Sequence, residues 1–311
     1  KSYKYSYSKK FLNRLKKYSQ INLIEMGGSS LGVRSIYSFL KNRIKKNFYF
    51  IDNLSLKKRK NKKTKNILNL IISKSGNTLE TIVNTNIFTT KNQKNVFLTE
   101  NKNNYLLNLA KKLKSEIVFH NNYIGGRYSV LSEVGMLPAE LMGLNESKFK
   151  RYDSLIKNNN FLGGLVSSVS NILNYYKKGK TNSIILNYDE NSSDLFYWYQ
   201  QLVAESLGKK GKGILPIVSN LPKDNHSLMQ LYLDGQKNNF YTFFSTQEKF
   251  SQKINSRNIP SEINFLKKKN LGNILNSQII ATQKVFKKKN IPFRSFIIKN
   301  RSEESLGELF S

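Results

Sequence analysis

Five short segments concentrate the residue types that can hold a phosphate and move protons. In Ser73-Lys74-Ser75-Gly76-Asn77-Thr78-Leu79-Glu80-Thr81, hydroxyls, a lysine and a glycine stand between an apolar run and the start of a helical pattern. A dianionic phosphate needs several converging donors. The free N–H groups and positive dipole of a helix N-terminus supply them, and Ser73, Ser75, Thr78 and Thr81 add hydroxyls, with Lys74 beside them. Ordinary N-capping by one hydroxyl, with the others solvated, is the alternative. The Gly-x4-Gly-Lys-Ser/Thr spacing is absent, which disfavours nucleotide hydrolysis.

The other four segments are weaker one by one. Met26-Gly27-Gly28-Ser29-Ser30-Leu31-Gly32 follows an apolar run and opens a helix, as either a tight turn or a close backbone approach to a ligand. Gly125-Gly126-Arg127-Tyr128-Ser129 precedes an amphipathic stretch. Ser129 is the expected N-cap, which puts Arg127 just outside the helix start, and Pro138 is expected to kink or break that helix. Arg127 can reach a developing oxyanion or make a plain surface salt bridge. Gln201 and Glu205 fall one helical turn apart on one face, shortly before Gly208. The helix dipole would raise the Glu205 carboxyl toward a useful base while Lys209 and Lys210 lower it, so the sign stays open. His226, in Asp224-Asn225-His226-Ser227, is placed at a helix start as acid/base or as a cap, and His120 ends a strand, where a loop cap accounts for it.

Short apolar runs spaced by amphipathic helices must position these segments. Strands are expected at 22–24, 48–51, 67–72, 96–98 and 117–119, with helices at 32–46, 79–90 and 105–114 between them. A second round carries strands at 183–186, 214–218, 241–244 and 293–298 and helices at 165–178, 194–207, 226–233 and 274–288. The fold class is therefore α/β, with two doubly wound parallel-sheet lobes covered by helices, over 1–150 and 151–311. A helical connection around Asn145 to Lys157 links them, and Ser302 to Ser311 reads as a helix cut short. Because the chain starts at Lys1 and ends in that helix, a fragment is expected.

Composition narrows the function classes. The 311 residues carry no cysteine and two histidines, which leaves no disulfide, thiolate metal site or thiol nucleophile. No apolar stretch approaches the ~18 residues of a membrane span, and no signal-peptide pattern is present. The formal net charge of +32 comes from 43 Lys and only 9 Arg, beside 40 Asn. Bidentate phosphate and base recognition favours arginine, so the charge reads mainly as solvated faces drawn from an AT-rich coding bias. A residual polyanion or membrane-surface affinity would centre on the basic run Lys57 to Lys65.

Taken together, in this order, the five segments resemble the glucose-6-phosphate isomerase family of the sugar isomerase (SIS) fold group, from about residue 20 to 309. The resemblance implies interconversion of glucose 6-phosphate and fructose 6-phosphate through a cis-enediolate, with no metal or organic cofactor. It matches Glu205 to the proton-transfer base, Arg127 to the cation that stabilises the enediolate, and His226 to the ring-opening group, contributed by the neighbouring subunit. Ser73, Ser75, Thr78 and Thr81, with Lys74, match the phosphate site, and Gly28, Ser29 and Gln201 match further substrate contacts. A cytoplasmic homodimer with shared sites follows, with no specific nucleic acid partner. The family's lysine near the C-terminus has no counterpart before Ser311. Another phosphosugar isomerase, or a non-catalytic phosphosugar-binding protein of the same fold, is the alternative.

Overall fold

The computed structural model describes residues 3–56, 66–248 and 251–311; the basic run 57–65 lies outside the described residues. The chain divides into two units, Lys1–Arg151 with Leu306–Ser311, and Tyr152–Ser305.

The first unit holds β1 (Gln20–Ile24), β2 (Asn47–Ile51), β3 (Ile67–Ile72), β4 (Lys94–Glu100) and β5 (Glu116–His120) in one sheet of order β2-β1-β3-β4-β5. Every pairing is parallel. Strands β1, β3 and β4 are buried at nearly every position, whereas the edges β2 and β5 alternate, as expected of a sheet covered on both faces. Asparagines sit in register inside this core: Asn22 donates to Asn69, and Asn69 to Asn95, each at 2.9 Å. Such a ladder satisfies amides whose burial would otherwise cost ~1–3 kcal/mol apiece.

Helices α1 (Lys9–Leu15), α2 (Gly28–Phe39), α3 (Leu79–Phe88), α4 (Tyr105–Lys112) and α5 (Glu133–Leu141) complete this unit. Three expectations are corrected here. Helix α2 begins at Gly28 rather than near Gly32, because the Gly/Ser stretch forms its first turn. It ends at Phe39, and a 3-10 turn over Lys41–Arg43 follows. Ser129 does not cap α5; its hydroxyl donates to the Gly126 carbonyl inside a 3-10 turn, Gly126–Leu131, so Arg127 lies within that turn. Ser132 is the N-cap, accepting from the Val134 amide. Pro138 does not break α5, since only the bond to the Val134 carbonyl is forfeited and the helix is held by burial of nearly its whole length.

In the second unit α6 (Tyr152–Ile156) and α7 (Asn159–Lys177) precede β6 (Asn182–Asn187), α8 (Ser193–Leu207), β7 (Leu215–Asn220), α9 (Met229–Asp234), β8 (Asn239–Thr246), α10 (Leu271–Lys288) and β9 (Phe293–Ile298). The sheet order is β7-β6-β8-β9, again all parallel. Its core joins Tyr241, Phe243 and Phe286, whose rings meet edge to face at 4.9 and 5.4 Å. Asparagine again fits the helix starts, with Asn158 capping α7 and Asn270 closing a capping box on α10. The terminal helix α11 (Glu303–Phe310) carries its last residues in the first unit. The strand and helix alternation expected from sequence is thus present in both units.

Candidate active site

In an open parallel sheet, ligands bind beyond the carboxyl ends of the strands where the strand order reverses. In the first unit that point lies between β1 and β3, whose following loops are the Gly/Ser segment and the hydroxyl segment. A pocket of about 260 Å³ opens there, lined by Gly28, Ser29, Ser73, Lys74, Ser75, Thr78 and Thr81, with Met26, Ile72, Glu100 and Gly126. Seven of the expected substrate residues therefore share one wall.

The hydroxyls are not spent on capping. Thr78 is the N-cap of α3 but makes no capping bond; its Oγ1 pairs with Ser73 Oγ at 3.1 Å. Thr81 Oγ1 is fully buried and, among the described residues, has no hydrogen-bond partner. An orphaned buried hydroxyl costs on the order of 1–3 kcal/mol, and a polar ligand in the pocket would relieve it. The turn itself is braced. Gly76 has φ of +65°, and a Cβ there would fall 1.9 Å from Asn104 Oδ1. Gly76 O accepts from the Leu106 amide at 3.1 Å, and Asn77 Oδ1 from the Tyr105 amide at 3.0 Å.

The two glycine loops meet at this pocket. A Cβ on Gly28 would lie 2.6 Å from both the Arg127 amide nitrogen and the Gly126 carbonyl carbon, so only glycine admits this approach. The Arg127 guanidinium stacks over the Tyr128 ring, 4.7 Å from its centroid. Lys74 Nζ donates to the Asn122 carbonyl at 2.9 Å and lies 3.2 Å from Glu100 Oε1, which ties the cradle to the loop that carries Arg127.

Sequence reasoning missed three carboxylates here. Glu100 lines the pocket between Lys74 and Lys102. Asp52 fixes the first turn of α2 through Ser30 Oγ at 2.7 Å and Arg34; burial alone would raise its carboxyl, but the Arg34 and Ser30 hydrogen bonds outweigh it and hold it low. Glu25, just after β1, is fully buried, and neither of its oxygens has a hydrogen-bond partner among the described residues. Burial first, then the Asp52 charge, push its carboxyl well above the usual range of 4.5, with Arg34 opposing. None of these partners is visible from local spacing.

Glu25 carries a stability prediction. The folded chain keeps a proton on it that the unfolded chain releases above about pH 4.5, so this group favours folding least at high pH. The loss runs to about 1.4 kcal/mol per pH unit until the folded-state value is reached. Glu25→Gln is expected to gain stability over the parent between pH 5 and pH 8, read as the difference in thermal unfolding. An unchanged difference across that range contradicts a buried neutral acid.

In the second unit, α8 brings Gln201 and Glu205 together as expected: Gln201 Nε2 donates to Glu205 Oε2 at 3.1 Å, and Gly208 caps the helix. His226 is corrected from a helix start to the end of a 3-10 turn, Lys223–Asn225, with α9 beginning only at Met229. The reason is Asp224, whose carboxylate accepts from the Asn220 amide at 2.7 Å and the hydroxyls of Ser219 and Ser227, holding the chain in a tight turn. His226 is exposed there. Among the described residues no group of three or more His, Asp or Glu is placed to hold a metal ion, and no helix is long and apolar enough to cross a membrane.

Comparison with known proteins agrees with this geometry. Glucose-6-phosphate isomerase of Methanocaldococcus jannaschii is 34% identical over 94% of this chain and 76% of its own length. Among solved structures, a hypothetical protein of Thermus thermophilus superposes with a TM-score of 0.82 at 22% identity, covering 96% of this chain and 79% of its own. A glucose-6-phosphate isomerase of Chlamydia trachomatis superposes at 0.76 with 18% identity, covering 97% and 65%. At these identities the superpositions establish the fold. The phosphoglucose isomerase family model matches residues 13–213, and with the 34% identity across almost the whole chain this makes the protein a member of the phosphoglucose isomerase family.

Proposed function

We propose that this chain is an isomerase that interconverts glucose 6-phosphate and fructose 6-phosphate. The observation that carries the reading is the pocket at the β1/β3 switch point, lined around the start of α3 by Lys74 and the hydroxyls of Ser73, Ser75, Thr78 and Thr81, where Thr81 Oγ1 is buried without a hydrogen-bond partner among the described residues. Those donors suit the phosphate, and Gly28, Ser29 and Gln201 would contact the sugar. Moving one proton between C2 and C1, with a hydroxyl proton passing between O2 and O1, shifts the carbonyl without net oxidation, so the step needs no redox cofactor. Glu205 takes the proton from one carbon and returns it to the other. The enediolate formed between the two transfers carries negative charge, which Arg127 stabilises from a preorganised loop. His226 assists ring opening from the second subunit of a homodimer, in the cytoplasm.

A coupled assay of fructose 6-phosphate conversion by the purified chain tests the activity. A direct binding measurement tests the cradle. Replacing Ser75 and Thr78 by Ala removes hydrogen bonds to a charged group, each worth roughly 1.5–3 kcal/mol. Affinity for phosphorylated sugars is expected to fall by at least tenfold while unphosphorylated sugars are barely affected. Equal weakening of glucose and glucose 6-phosphate contradicts the phosphate assignment. A non-catalytic phosphosugar-binding protein would pass the binding comparison and show no turnover.

A further inference from the structure

His120, which a loop cap would have explained, is instead hydrogen-bonded to Glu133 in the interior of the first unit. Its Nδ1 lies 3.0 Å from Glu133 Oε1, and the two side chains are 0% and 1% exposed. Its Nε2 lies 3.2 Å from the Ile124 carbonyl oxygen. Both ring nitrogens thus lie within hydrogen-bond distance of an oxygen, one on the helix α5 side and one on the loop. Glu133 also accepts from the Asn121 amide at 3.0 Å and from the Tyr3 hydroxyl. Burial would raise its carboxyl, yet these donors together hold it below the usual range, so the carboxylate stays charged opposite the ring.

The sequence positions of these groups give the pair its meaning. His120 is the last residue of β5, and Glu133 is the first of α5, so the two close the connection 121–132 at its base. That connection carries Gly125-Gly126-Arg127, and the Ile124 carbonyl held by His120 immediately precedes the first glycine. On its other side the loop rests on Gly28 and is reached by Lys74. A segment with two adjacent glycines has much conformational entropy to lose on ordering, so a cation on it needs rigid anchors to act without reorganisation.

We propose that the His120–Glu133 pair positions Arg127 for the enediolate, acting through the loop and not by touching substrate. The proposal rests on the role given to Arg127 above. A pair that only stabilised the fold would affect all ligands alike. One that positions Arg127 affects ligands bearing negative charge where the enediolate forms and spares neutral ones.

Calorimetry with two sugar-derived phosphates separates these cases: a phosphorylated aldonate, whose carboxylate stands in for the enediolate, and the matching phosphorylated alditol, which lacks that charge. In folded His120→Gln and Glu133→Gln, aldonate affinity is expected to fall about tenfold or more while alditol affinity stays within about twofold. In an Arg127→Ala background the same substitutions are expected to add little, since the interaction they support is gone. If Arg127→Ala itself leaves the aldonate preference intact, the reading of Arg127 fails. If Arg127→Ala abolishes the preference but the pair variants keep it, or if the losses add in full, the positioning role is overturned. Should His120→Gln not fold, Glu133→Gln, which keeps the shape and an acceptor for Asn121, carries the same comparison.

Discussion

Glu205→Gln should remove ~10²–10⁴ of the isomerisation rate and leave fructose 6-phosphate binding within a few-fold of the parent. The amide keeps the shape of the side chain and a hydrogen-bonding group for Gln201, which lies 3.1 Å away one turn earlier on α8. It loses only the ability to take and return a proton. The phosphate cradle belongs to the first unit, on loops that Glu205 does not build, so ground-state binding has no reason to collapse. Turnover and a direct binding measurement on the same preparation check this. Hydrogen exchange at C2 at the parent rate in the variant would exclude Glu205 as the base.

An equally large effect is expected when inactive chains are mixed. Glu205→Gln and His226→Ala should each be nearly inactive alone. If His226 serves the site of its partner, a two-fold dimer of one chain of each kind holds one site with both lesions and one with neither. Random exchange at equal amounts makes about half the dimers mixed, so about a quarter of parent activity is expected to return. With subunit exchange verified by an independent label, no recovery places His226 in its own chain's site or outside the mechanism.

The two sheets were legible in the sequence because doubly covered parallel strands read as mainly apolar runs, even where an asparagine such as Asn69 interrupts them: Ile67–Ile72 was placed to the residue, and the inner strands β1, β4, β6 and β8 to within a few. What stayed hidden depends on partners distant in the chain. Helix α1 buries only Leu12 and Leu15 in a lysine-rich segment, too little apolar periodicity to register. The cap of α5 was misplaced by three residues because two serines stand near its start, and the choice between them is made by a hydroxyl bond to Gly126. The hydroxyl segment could be read because its donors all lie within nine residues of one another, at the junction of β3 and α3. Glu25, Glu100 and the His120–Glu133 pair could not, since each acquires its environment only when separate strands bring their ends together.

The fate of the hydrogen at C2 tests the central claim most directly. Glucose 6-phosphate deuterated at C2 is incubated with the purified chain in ordinary water, and the fructose 6-phosphate formed is examined at C1. Proton transfer through an enediolate on one base predicts label divided between C1 and solvent, because a proton held on a carboxyl exchanges with water during part of its residence. Formation of fructose 6-phosphate with the label wholly retained at C1 would indicate a direct hydride shift. That result, or no ketose formed by a folded chain, contradicts the account.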